Sequence, residues 1–273
     1  MNAAAQIQFQ LVPRARLTPA HRDEMFQLLS QHFDGVTGEQ FARDFAEKNL
    51  ALLLRRGARL VGFSTLLAYT TRFEGEPVNV IYSGDTIVAP EAWGSTALPR
   101  AWVAGVEALR ATLPPARCFW LLLTSGFRTY RFLPVFWREF FPRHDAATPP
   151  EIKKLLAQLA QERFGAQFAL PAGIVSFAHP QKLRAGLEQI PSGRERDPPT
   201  KFFLTQNPGH AHGDELVCLT ELCPENLTAA GRRMAAARGL QPASTPEVPG
   251  HKNFGSGLEF FKLKRRERRA PCA

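Results

Sequence analysis

Residues 78–112 read VNVIYSGDTIVAPEAWGSTALPRAWVAGVEALRAT. Val78–Val88 has the apolar, β-branched character of a long strand. A Gly-containing turn follows, and then Leu98, Trp102, Val106 and Leu109 fall on one helical face. Pro99 has no N–H to give and must lie in the first turn, which puts the helix start near Ser95-Thr96. Pro114-Pro115 stops the helix. A strand, a small loop and a helix N-terminus in that order gather backbone N–H groups and the positive end of a helix dipole on one spot. Trp93, Gly94, Ser95, Thr96 and Ala97 are therefore a candidate phosphate cradle, with Ser95 and Thr96 also placed to cap the helix.

Working outward, Ile7–Val12 alternates apolar and polar residues as a half-buried strand does. Thr18-Pro19 is an N-cap with proline at the first helical position, and Gly35 closes the helix it starts. A second helix is expected over Gly38–Lys48. Leu50–Arg55, Leu60–Thr70 and Val78–Val88, joined by short Gly-bearing turns, read as an antiparallel meander. Cys118–Thr124 (CFWLLLT) is apolar on both faces, as a central covered strand is. The helix between it and Val88 makes those two strands parallel. An aromatic helix with Pro134 inside it is expected over Thr129–Phe141, ended by Pro142.

The second half predicts a helix over Glu151–Phe164, a short strand over Ile174–Phe177 and a short helix over His179–Leu187. Pro191–Thr200 is loop-like. Strands are expected over Lys201–Thr205 and Leu216–Leu222, followed by a helix over Glu225–Arg238 closed by Gly239. Pro242–Pro249 reads as a linker and Leu258–Leu263 as a last strand. The whole is an α/β chain with a mixed, mostly antiparallel sheet flanked by helices.

Composition sets the class. The chain has 273 residues, 44% hydrophobic and 22% charged, as ordinary globular proteins do. Its longest apolar runs, Leu50–Leu54 and Phe119–Leu123, fall far short of the ~20 residues that span a bilayer. No signal peptide is evident, and four scattered cysteines make no disulfide framework, so a cytoplasmic location is expected. The formal charge is +9, of which residues 262–269 (KLKRRERR) carry +5. So local a charge fits a solvated tail, and nucleic acid is not expected as a partner.

The order of elements resembles the GNAT superfamily of acyl-CoA N-acyltransferases, well over Ile7–Phe141, with residues 201–222 as its last pair of strands. The resemblance implies a core over residues 1–145, a helical and loop insertion over 146–200 and a completing segment over 201–261, before a basic tail at 262–273. It implies acetyl-CoA or another acyl-CoA as co-substrate, bound at Val88, Trp93, Gly94, Ser95, Thr96 and Ala97, or an acyl carrier protein as donor. The acceptor would be a small amine or amino-acid-like molecule. The family's Gln/Arg-x-x-Gly-x-Gly/Ala loop corresponds here to Glu91-Ala92-Trp93-Gly94-Ser95-Thr96, with Gly94 kept, Glu91 in place of the usual Arg or Gln, and Thr96 in place of the last small residue. A carboxylate beside a pyrophosphate is repulsive unless it points away.

For chemistry, Asp85 is the candidate general base, with Ser83 two residues away and expected on the same face, and Tyr82 on the other. Asp85 and Thr86 equally suit a local bulge held by their hydrogen bonds. The family's tyrosine acid falls at Phe136, which has no proton to give. Either Tyr130 substitutes, or the thiolate leaves unaided, or the site is inert. Asn207, Asp214 and Glu215, in the loop around His210 and His212, are candidates for the acceptor pocket. His210, His212, Cys218 and Cys223 match no usual zinc spacing, so no metal is expected. The rival function is a catalytically inert module of the same fold that binds a ligand or a protein.

Overall fold

The structure is a computed structural model that describes residues 7–93, 95–187 and 189–236. Its frame is an eight-stranded sheet. β1 (Ile7–Pro13), β3 (Leu50–Arg56), β4 (Arg59–Phe73) and β5 (Glu76–Val88) run antiparallel in that spatial order. β6 (Arg117–Thr124) lies parallel to β5, and β10 (Glu215–Glu221), β8 (Ile174–Val175) and β7 (Phe168–Ala169) complete the sheet in antiparallel order. A separate two-stranded ribbon pairs β2 (Phe33–Asp34) with β9 (Lys182–Leu183). The mixed, mostly antiparallel sheet with one parallel pair is the expected one.

Among the described residues, eight helices flank the sheet: α1 (Pro19–His32), α2 (Gly38–Ala46), α3 (Ala97–Arg110), α4 (Phe127–Tyr130), α5 (Phe132–Phe136), α6 (Pro150–Phe164), α7 (Pro198–Gln206) and α8 (Ala229–Ala235). The five-residue apolar runs are explained by cover on both faces. Leu50, Leu52 and Leu54 of β3 point to the α3 side, while Ala51 and Leu53 point to the core beneath α1 and α2. In β6, Cys118, Trp120 and Leu122 join the α3 side, and Phe119, Leu121 and Leu123 pack under α6.

Thr18 caps α1 by accepting from the His21 N–H, with Pro19 at the first position, as its sequence predicts. The β4–β5 hairpin turns at Glu74-Gly75, both at positive φ, the two-residue turn whose twist matches a hairpin.

Several expectations are corrected. Residues 201–205 are helical, within α7, because Asp197-Pro198-Pro199 is a helix start. The Lys201 N–H reaches the Asp197 carbonyl at 2.9 Å, and the Thr200 hydroxyl donates to the Asp197 carboxylate at 2.9 Å. The strand pair beyond β6 is therefore β10 with β8, not 201–205 with 216–222. The aromatic helix over 129–141 is two short helices ending at Phe136, after which Trp137 and Phe141 bridge to Leu227 and Leu219. Pro134 supplies no N–H to continue a longer helix. The helix expected over 179–187 is instead β9 and a turn, since Lys182 and Leu183 find a ladder with β2. The helix predicted from Glu225 starts only at Ala229, where Thr228 caps it by accepting from the Gly231 N–H. The linker 242–249, the strand 258–263, the basic tail, Gly94 and Gly239 lie outside the described residues. Among the described residues, no helix is long and apolar enough to cross a membrane.

Candidate active site

β5 and β6 pair from Val78↔Arg117 to Ser83↔Leu122 and no further, although β5 runs on to Val88. The interruption begins at a bulge. On β5, Gly84 and Asp85 together oppose the single residue Thr65 of β4, since Ser83 faces Leu66 and Thr86 faces Ser64. The extra residue resets the alternation of side chains. Tyr82 belongs to the core under α6 and Ile87 to the core under α1 and α2, both on the side away from α3. Asp85, in step with Ile87, faces that side too. Ser83 faces α3, where its hydroxyl accepts from the buried Trp120 Nε1 at 2.9 Å. The expectation that Ser83 and Asp85 share a face, with Tyr82 opposite, is thus corrected by the bulge.

Past the bulge, β5 has an open edge. The Ala89 N–H bonds the Val61 carbonyl at 2.9 Å, so Val88 opposite Gly62 is a non-hydrogen-bonded pair and turns its own N–H and C=O away from β4. That edge borders a cavity of about 700 Å³. Its lining passes through the sheet, from Trp102 and Trp120 on the α3 side to Lys48, Asp85 and Arg163 on the other.

The far side holds a buried charge cluster. Lys48, 4% exposed, donates to the Asp44 carbonyl at 3.0 Å and sits 5.3 Å from the centre of the Tyr82 ring. Its pKa is lowered, first by burial and then by Arg163. Arg163 stacks 4.7 Å from the same ring and pairs with Glu47 at 2.5 Å. Asp85 keeps one carboxylate oxygen, Oδ2, buried without a partner, and burial raises its pKa to about 6 against the opposing pull of Lys48. Glu215, at the start of β10, lines the same cavity, and burial followed by the Asp85 charge raises it to about 8. Two carboxyl groups in one cavity thus hold protons over different pH ranges.

The other sequence candidates divide. Val88, Trp93, Ser95 and Ser83 line the cavity, whereas Thr96 and Ala97 are not part of its wall. The Trp93 indole N–H donates to the Val88 carbonyl at 2.7 Å, and Arg128 stacks on its ring at 4.3 Å. Ser95 caps α3 by accepting from the Ala97 N–H at 3.0 Å, but Thr96 makes no side-chain cap. Glu91 points away, to Arg59 at 2.7 Å. Tyr130 is fully buried, donates to the Pro142 carbonyl at 2.9 Å and packs against Phe140, Phe202 and Phe203, outside the cavity wall. Asn207 and Asp214 hold the loop together. Asn207 Nδ2 donates to the Asp214 carbonyl at 2.8 Å, and Asp214 accepts from the Ser176 hydroxyl at 2.6 Å. Of that loop's candidates only Glu215 meets Asp85.

Sequence reasoning missed Lys48, Arg163 and Arg128. Lys48 ends the segment before β3 and reads as a helix-face stem, and Arg163 looks like the polar side of an amphipathic helix. Only the packing of α2 and α6 over the bulge brings them together.

The fold has the element order that the GNAT resemblance implies through β6. No protein-family model and no curated protein matches the chain. Similar solved structures include a conserved Enterococcus faecalis protein described as a probable N-acyltransferase, at 15% identity and TM-score 0.38. The match covers 50% of this chain but only 33% of that one, so this chain aligns with a third of that protein's length. An Escherichia coli GNAT family N-acetyltransferase in complex with CoA is similar at 15% identity and TM-score 0.35, over 48% of this chain and 70% of that one. An IAA acetyltransferase from Bacillus cereus is similar at 10% identity and TM-score 0.37, over 80% of this chain and 100% of that one.

Proposed function

We propose that this chain is an N-acyltransferase that moves an acyl group from coenzyme A, or from carrier-bound phosphopantetheine, to a small or amino-acid-like amine. One observation carries the reading: the cavity opened by the separation of β5 from β6 contains the buried, unpartnered Asp85 Oδ2. A strand edge with free backbone groups suits an extended pantetheine amide chain, which would lie along Thr86 and the Val88 N–H. An acyl thioester supplies the activated acyl carbon. Asp85, largely ionised at neutral pH, accepts the proton that the amine loses as the new C–N bond forms. Glu215, held protonated, donates to the sulfur as the C–S bond breaks, the role Tyr130 cannot reach. The acceptor enters from the Lys48 and Arg163 side, where Asp44 and Glu47 also line the cavity. The described cysteines are free thiols, which fits a reducing compartment such as the cytoplasm.

The test is a thermal-shift scan with acetyl-CoA, a longer acyl-CoA and free CoA, paired with thiol release on adding amines. Stabilisation with amine-dependent release is expected; the absence of both retires the reading. The N–H groups of Trp93, Ser95 and Ala97 are already bonded, to the Pro90 carbonyl, the Ala92 carbonyl and the Ser95 hydroxyl. That observation favours the second reading, an inert binding module, under which stabilisation occurs without any thiol release.

A further inference from the structure

Several backbone amides of the loop after β5 are already engaged. Those of Trp93, Ser95 and Ala97 are spent within the loop, and Pro99 has none. An anionic donor seated at this end of the cavity would need charge that these three amides do not supply. Besides Arg163 at the bulge, three arginines line the cavity: Arg128 and Arg131 from the α4–α5 segment, and Arg194 from the segment before α7. Arg131 is matched by Asp197 at 3.1 Å. Among the described residues, neither Arg128 nor Arg194 has a carboxylate partner.

Arg128 is also fixed in place. Its guanidinium is held between the rings of Trp93, at 4.3 Å, and Phe127, at 4.8 Å. It donates to the carbonyls of Leu187 at 2.9 Å and Gln189 at 3.2 Å. Two bonds to neutral carbonyls leave the positive charge uncompensated and further N–H donors unspent. Trp93 in turn is bonded to Val88, so this charge stands just beyond the free edge of β5. The cavity therefore carries carboxyl groups at the bulge and the unmatched Arg128 guanidinium at the Trp93 end, with Arg194 also in its wall.

We propose that Arg128 and Arg194 form a phosphate subsite, taking over from the loop amides the task of holding the phosphate of a pantetheine donor. The subsite rests on the acyl-transfer reading and orients the donor: phosphate at the arginines, thioester at Asp85. Arginine suits the task because its planar fork binds phosphate oxygens in pairs. The shared chemistry is a phosphate ester of pantetheine, whether from free coenzyme A or from a carrier protein's arm.

Calorimetric titration of the full chain with CoA, 4′-phosphopantetheine and pantetheine tests this. CoA is expected to bind at least about tenfold more tightly than pantetheine, the scale of one lost charge-assisted contact. Added salt should erode that advantage. Arg194→Gln, at an exposed position, should weaken CoA about tenfold and leave pantetheine unchanged. Arg128→Lys should do the same while keeping a cation, because the fork is lost. 4′-Phosphopantetheine binding as tightly as CoA supports the subsite and points to a carrier arm. CoA binding tighter than 4′-phosphopantetheine, itself tighter than pantetheine, supports it and points to free coenzyme. 4′-Phosphopantetheine binding no tighter than pantetheine overturns it. Equal affinity of the wild type for CoA and pantetheine overturns the subsite while leaving the acyl-transfer reading in place. So does an Arg194→Gln variant that weakens both ligands alike or neither. Binding of none of the three ligands overturns the acyl-transfer reading itself.

Discussion

At Asp85 a buried carboxylate oxygen has no partner although an ammonium group stands in the same cluster, an arrangement that suits a group awaiting a proton from elsewhere. Asp85→Asn keeps the shape and removes the proposed base, so kcat should fall by about 10²–10⁴ while donor affinity is preserved, as steady-state kinetics and calorimetry would show together. The pH profile follows from the two carboxyl groups. On the proposed mechanism Asp85 acts ionised, so kcat/KM should rise through about pH 6, and Glu215 acts protonated, so it should fall through about pH 8. In Glu215→Gln the alkaline limb should disappear. A stability effect accompanies it. Both folded values lie above the ordinary 3.8 and 4.5, so the folded state keeps protons that the unfolded chain releases. Their stabilising contribution is complete below about pH 4 and is lost as pH rises toward 6 for Asp85 and 8 for Glu215. Melting curves should therefore show Glu215→Gln gaining on the wild type as pH is raised from 4.5 to 8, with no relative gain below that window.

The β5 bulge is the element that converts an ordinary meander into a site, and its glycine is demanded by crowding. A Cβ at Gly84 would stand 2.5 Å from Lys48 Cε and 2.8 Å from Thr65 Oγ1. Gly84→Ala should lower stability by about 1–3 kcal/mol. The loss should shrink in a Lys48→Ala background, as a double-mutant cycle in denaturant would show. The β4–β5 hairpin offers a contrast. Glu74 occupies positive φ at 49°, where Asn is far better tolerated. Glu74→Asn should stabilise by about 0.5–1 kcal/mol, a rise of a few degrees in Tm. Elements such as these were legible to different degrees. The bulge was open as one of two readings of Asp85-Thr86, but its effect on facing was not, because strict alternation of side chains fails wherever a residue is inserted. The segment 201–205 was misread because KFFLT is a short apolar run that suits strand and helix equally. The local signal that decides for helix is Asp197-Pro198-Pro199, which starts α7.

Across the whole molecule, the strand order around β5 and β6 and the crossover between them follow from the sequence, because apolar periodicity and proline positions are local facts. The site does not, because its parts come from five separated segments: Lys48 before β3, Asp85 on β5, Arg128 after β6, Arg163 on α6 and Glu215 on β10. Nothing local in a lysine or an arginine announces that a helix end will bury it over a bulge. The same dispersal determines how far the chain can be cut. β6 is the middle of the assembly, held on one side by β5 and on the other by β10, from Leu216↔Thr124 to Glu221↔Phe119. Its Phe119, Leu121 and Leu123 are covered by α6, and a fragment of residues 1–145 would lose both that cover and β10. It would present an apolar edge strand with unpaired N–H and C=O groups, the geometry that recruits other chains. Such a fragment is expected to aggregate or to lack cooperative unfolding, whereas residues 1–236 should unfold in one transition. Size-exclusion chromatography and thermal unfolding of the two would decide. A monomeric, cooperatively folding 1–145 fragment would mean that residues 146–236 are an appendage to the sheet. Aggregation would mean that the segment beyond residue 145 is part of the minimal folding unit, together with Arg163 and Glu215 that it carries into the cavity.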